Sequence, residues 1–270
     1  MSQRLEQRLK AATANGGKCL MPYLTAGFPD LATTAQLIAR CDQAGCPAIE
    51  IGFPFSDSIA DGPVIQESFY HALDAGFRVD ALFETIAGIR ANTSTALIAM
   101  VSMSLVMKRG PETFARDAAG AGFDALIVPD VPVDEAAQLT RTADAAGLCN
   151  VLMIAPTSAS DRQARIASSA RGFLYVIASR GITGERDQVA RDLGDHVQAL
   201  RKLTAVPLIA GFGISTPDHV RDACRYTDGV IVGSAIIRRI TACVEAGDDA
   251  PAIVRTVGTY VDELSGGLVA

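Results

Sequence analysis

Ala48-Ile49-Glu50-Ile51-Gly52-Phe53-Pro54-Phe55-Ser56-Asp57-Ser58-Ile59-Ala60-Asp61-Gly62-Pro63 sets one carboxylate inside an apolar run and another just beyond it. An apolar run of this length that ends in turn-forming residues reads as a buried strand. Strand alternation puts Ala48, Glu50 and Gly52 on one face and Ile49 and Ile51 on the other. Glutamate is almost never fully buried without a partner or a task, so Glu50 is a candidate functional residue. The alternative is a strand that ends early and leaves Glu50 solvated at a rim.

The same unit repeats in both directions. Upstream, Lys18 to Thr25 reads as a strand closed by Gly27 and Pro29, and Asp30 is a good N-cap for a helix over Leu31 to Ala44. Ser2 to Ala14 reads as a short helix ahead of it. Downstream, Val64 to Ala75 is an additional helix ended by Gly76, and Val79, Leu82, Phe83, Ile86 and Ile89 mark an amphipathic helix. Further strands are expected at Ala96 to Ser102, Ala125 to Val128, Asn150 to Ile154, Phe173 to Ile177, Pro207 to Ala210 and Gly229 to Val232. Eight strands, each followed by a loop and a helical segment, imply an α/β protein with a parallel sheet. The expectation is a single (β/α)8 TIM barrel over residues 1–270, with an extra N-terminal helix and an extra helix after strand two. An open doubly wound sheet is disfavoured because no G-x-G-x-x-G follows the first strand.

Bulk properties narrow the function. At 270 residues and 49 % hydrophobic, without tryptophan, the chain suits one barrel-sized core. A formal net charge of −6 argues against nucleic acid or an anionic membrane as partner. The N-terminus lacks the apolar core of a signal peptide and no apolar stretch reaches membrane-span length, so the chain reads as cytoplasmic. The six cysteines show no C-x-x-C spacing and are expected to be small core residues.

In a barrel the catalytic groups sit at the C-terminal ends of the strands. Glu50, Asp61, Asp130, Tyr175 and Thr183 qualify. Of the four lysines, Lys10, Lys18 and Lys202 lie at the wrong end or on helices and Lys108 is several residues past strand three, which disfavours a Schiff base. His71, His196 and His219 fall in helical segments and do not form a metal triad at one rim. A carboxylate pair without metal or bound cofactor remains, and such a pair works when its surroundings set the two pKa values apart. Gly211 to Ser215 and Gly233-Ser234-Ala235, after strands seven and eight, suit an anion held by backbone N–H groups, although each could be a simple tight turn. Gly181 to Gly184 reads as a lid with glycine hinges or as an ordinary loop. Phe53, Tyr175 and Phe212 either wall an apolar pocket or belong to the core.

Together these motifs resemble one family, the tryptophan synthase α subunit. The likeness runs through Pro22 to Gly27, Glu50 to Gly62, Val128 to Pro132, Gly181 to Gly184, Gly211 to Ser215 and Gly233-Ser234. It implies retro-aldol cleavage of indole-3-glycerol phosphate to indole and glyceraldehyde 3-phosphate. On this resemblance Glu50 is the acid-base residue, Asp61 holds the indole N–H, and Tyr175 and Thr183 support them. Tyr23, Ile127, Met153 and Phe212 would surround the indole, with Gly184, Gly213, Gly233 and Ser234 on the phosphate. The resemblance also implies an α2β2 assembly with a pyridoxal-phosphate β subunit that carries the cofactor, and contacts with it at Pro54, Asp57, Ser58 and Ser104. Three positions depart from the family pattern: Ser58 stands where proline is usual, and Ser102 and Ser104 where tyrosine and asparagine are usual. Without proline's fixed φ, the loop bearing Asp57 and Asp61 is expected to be less pre-organised. A stand-alone lyase that releases free indole, or a catalytically weak allosteric barrel, are the alternatives.

Overall fold

The structure is a computed structural model that describes residues 3–58, 61–131, 133–177, 186–211 and 213–268, with the backbone alone at 133–134 and 186–192. Every apolar run expected to be a strand is one: β1 (Cys19–Thr25), β2 (Ala48–Gly52), β3 (Ala96–Met100), β4 (Ala125–Ile127), β5 (Cys149–Asn150), β6 (Leu152–Ile154), β7 (Leu174–Ile177), β8 (Leu208–Gly211) and β9 (Gly229–Val232). The fifth expected strand is the one divided. Its first half pairs with β4, Val151 N–H donates to Leu126 O at 2.9 Å, and its second half pairs with β7. The strand order β5-β4-β3-β2-β1-β9-β8-β7-β6 therefore begins and ends on the same piece of chain, and the all-parallel sheet closes into a barrel through Val151.

Strand three ends earlier than its apolar run. Ser102 leaves the strand to cap the helix Met103–Arg109, accepting the Leu105 N–H. Asp30 caps Leu31–Gln43 as expected, accepting from Thr33 N at 2.7 Å. That helix buries Thr33, Thr34, Leu37, Ile38 and Cys41, a stripe at helical spacing turned to the sheet. Beyond the extra helix expected after strand two (Pro63–Asp74), additional helices follow β3 and β9: Gly110 at φ +87° and Pro111 break the chain between Met103–Arg109 and Pro111–Ala121, and Asp249 caps a C-terminal helix, Ala250–Ser265. Phe53 is fully buried in an aromatic cluster with Phe83, Phe114 and Phe123 between strand and helices, so it serves the core. Among the described residues, no helix is long and apolar enough to cross a membrane.

Candidate active site

Register places the site. Tyr23 pairs with Glu50 and Glu50 with Ile98, so these three share a row pointing into the barrel; Gly52, Met100 and Ile127 form the row two residues nearer the C-terminal rim. The inward tyrosine rings are seated on glycines. A Cβ at Gly52 would lie 1.9 Å from Tyr23 Oη, and one at Gly211 would lie 2.1 Å from Tyr175 Oη. Replacing Gly52 by alanine is expected to destabilise the chain by about 1–3 kcal/mol through overpacking. In urea denaturation the loss should shrink when Tyr23→Ala is added, because the two sites are in contact; independent, additive effects would contradict the seating.

At the C-terminal rim, Tyr23, Glu50, Asp61, Tyr175, Gly213, Gly233 and Ser234 line one cavity of about 240 Å³, completed by Gly62, Pro63, Ile65, Met100, Ile214 and Ile231. No lysine, arginine or histidine stands among these lining residues. Lys18 is at the opposite end, donating to Thr227 O at 2.7 Å ahead of β1 and β9. Glu50 is 1 % exposed and its Oε1 has no hydrogen-bond partner among the described residues. A buried polar atom left unpaired costs stability, and such groups persist where they meet a ligand.

Burial, reinforced by the charge of Asp61, raises the Glu50 pKa to about 8. Asp61, also desolvated and facing the charge of Asp130, is raised to about 6. At neutral pH the pair is thus one protonated carboxyl and one carboxylate. Burial likewise holds Tyr23 and Tyr175 well above the ordinary phenol value, so both are neutral hydroxyls.

The loop carrying Asp61 is tied without proline. Asp61 N–H donates to Ser58 O at 3.1 Å, and Gln66 Nε2 donates to Ser58 O and Asp61 O at 2.8 and 3.0 Å. Gln66 thus replaces part of the constraint expected to be missing at Ser58, and nothing in the local sequence signals that role. At the other wall, Gly213 is held at φ +74°, a conformation glycine adopts without strain. Gly233 precedes the helix Ser234–Glu245 and offers no side-chain cap, leaving that N-terminus open to the cavity.

The remaining expected residues divide. Met153 lines an adjoining cavity of about 300 Å³ that also reaches Asp61 and Met100. Ile127 is fully buried, and its register partner Met100 reaches the cavity walls. Met100 was missed in the sequence, although the parity of β3 against Gly52 points to it. Thr183, Gly184 and Phe212, with the Gly181 to Gly184 loop, lie outside the described residues. A third cavity, about 360 Å³, opens beside Asp57, Asp61, Ser102 and Asp130. Asp57 and Ser104 are exposed, whereas Pro54 and Ser58 are buried.

The family profile of "Tryptophan synthase alpha chain" matches residues 9–264 of this chain. The chain belongs to the tryptophan synthase alpha chain family. A family member from Citrifermentans bemidjiense is 41 % identical over 235 residues, covering 87 % of this chain and 88 % of its own. Among solved structures, tryptophan synthase subunit alpha of Legionella pneumophila superposes with a TM-score of 0.89 at 30 % identity, covering 98 % of both chains. A chain of the tryptophan synthase complex of Pyrococcus furiosus superposes at 0.80 with 31 % identity over 92 % of this chain and 98 % of that one. The family and barrel expected from the motifs are both borne out.

Proposed function

We propose that this chain cleaves indole-3-glycerol phosphate to indole and glyceraldehyde 3-phosphate. The observation that carries the reading is the rim cavity of about 240 Å³ in which a protonated Glu50 and an ionised Asp61 face glycine-bearing turns after β8 and β9. In this reading Glu50 delivers its proton to the indole ring carbon that bears the side chain, and Asp61 accepts a hydrogen bond from the ring N–H as positive charge develops there. The Glu50 carboxylate then takes the proton of the adjacent glycerol hydroxyl while the carbon–carbon bond breaks, leaving an aldehyde and restoring the acid. With no basic side chain among the described residues of these walls, the phosphate would be held by backbone N–H groups at Gly213, Gly233 and Ser234, and by Gly184. Tyr23, Met100 and Met153 would enclose the indole with Ile127 behind them and Phe212, while Tyr175 and Thr183 support the carboxylates.

The chemistry asked of this chain is proton transfer by its own side chains. Pyridoxal phosphate belongs, in this reading, to a β subunit that receives the indole, in an α2β2 assembly. Asp57 and Ser104 offer exposed side chains for that contact, whereas Pro54 and Ser58 would contribute backbone or loop shape. Indole release by the purified chain, measured alone and with a tryptophan synthase β subunit, tests the proposal. Weak release that rises at least about tenfold with the partner is expected, since ordering the loop beside the site adds to positioning. Full activity alone would indicate a stand-alone lyase, and no cleavage in either condition would overturn the assignment.

A further inference from the structure

The C-terminal helix Ala250–Ser265 approaches the turn after β8 at two points. Tyr260, 6 % exposed, donates its hydroxyl to Ser215 O at 2.7 Å. Two residues past the end of the helix, Gly267 lies so near the first residue of the helix Pro217–Cys224 that a Cβ there would sit 2.2 Å from Pro217 O. Val257, Val261 and Leu264 on the same helix are fully buried, so the donor is delivered from a packed platform. Ser215 is also met from its other side: His219 Nδ1 stands 3.4 Å from both Ser215 N and Oγ. On the outer side, the Arg239 guanidinium covers the Tyr260 ring at 4.6 Å and fixes its orientation.

Gly213 faces the cavity and Ser215 is only two residues on, just before the Thr216 cap of helix Pro217–Cys224. We infer that Tyr260 is a positioning residue for the phosphate turn: its hydroxyl holds the Ser215 carbonyl and thereby sets the direction of the Gly213 backbone. The inference rests on the proposed phosphate role of that turn. Without the hydroxyl, the Ser215 carbonyl loses its external donor and the turn gains freedom that an anion must remove on binding.

Tyr260→Phe keeps the ring, its packing and the Arg239 contact, and removes only the donor. Calorimetric titration with glycerol 3-phosphate is the test, run on the wild-type chain, Tyr260→Phe and Gly233→Asp. Tyr260→Phe should weaken binding roughly three- to tenfold, as for one hydrogen bond lost, and raise KM for indole-3-glycerol phosphate to a similar extent, with kcat within about twofold. Gly233→Asp should abolish binding by placing a negative charge at the same wall. A folded Tyr260→Phe protein with unchanged affinity and KM, whatever its melting temperature, would overturn the inference while leaving the phosphate reading in place. A wild-type chain that does not bind glycerol 3-phosphate, or binds it regardless of Gly233→Asp, would overturn the phosphate reading and this inference with it.

Discussion

Replacing Glu50 by glutamine is expected to cut indole release from indole-3-glycerol phosphate by about 10²- to 10⁴-fold at pH 7, the range for loss of a positioned acid-base group. The substitution keeps the shape of the side chain in a site where Glu50 is 1 % exposed, and removes only its transferable proton. Its effect on stability separates chemistry from folding. The folded chain keeps the Glu50 proton up to a pH near 8, against an ordinary value of 4.5. Wild-type stability therefore falls as pH rises through that window, because the unfolded carboxyl ionises freely while the folded one resists. Glutamine does not titrate. The variant should match or trail the wild type near pH 4.5 and gain on it by roughly 3–5 kcal/mol towards pH 8, read as denaturation midpoints at several pH values. An inactive variant whose relative stability climbs with pH would place Glu50 buried and in the chemistry. Activity within tenfold of wild type would remove it from the chemistry.

Asp61→Asn should lower activity at least about 10²-fold and, more tellingly, change the shape of the pH profile. For the wild-type chain, kcat/KM should be bell-shaped: falling below about pH 6 as Asp61 takes up a proton, and above about pH 8 as Glu50 loses one. These limbs belong to the interacting pair. In Asp61→Asn the acid limb should vanish. The basic limb should move to lower pH, because the Asp61 charge is part of what raises Glu50. Asp130→Asn offers a milder check, since the Asp130 charge contributes to the rise at Asp61 and its removal should shift the acid limb downward. A profile that keeps its acid limb in Asp61→Asn would assign that limb elsewhere.

Much of this was legible in the chain itself because it depends on local periodicity. Alternation within Ala48–Gly52 turns Glu50 inward regardless of what surrounds it, and the position of Lys18 before its strand sends it to the far end. The βα order and the glycine turns after the last two strands likewise follow from short-range pattern. Recognition of the family through matched motifs added residues such as Tyr23, whose place in the cavity no periodicity reveals.

Only tertiary structure decided what lies opposite what. Barrel closure, carried across Val151, brings residues 23, 50, 61, 175, 213 and 233 to one cavity, and the register between strands sets Met100 beside Ile127, with Met100 at the cavity wall. The Gln66 tie on Ser58 and Asp61, and the Tyr260 hold on Ser215 across 45 residues, are side-chain contacts between elements. The carboxylate pair became an acid and a base for the same reason. Its two pKa values are set by burial and by neighbouring charge, which exist only once the chain has folded around them, whereas strand parity and turn chemistry are already present in the order of the residues.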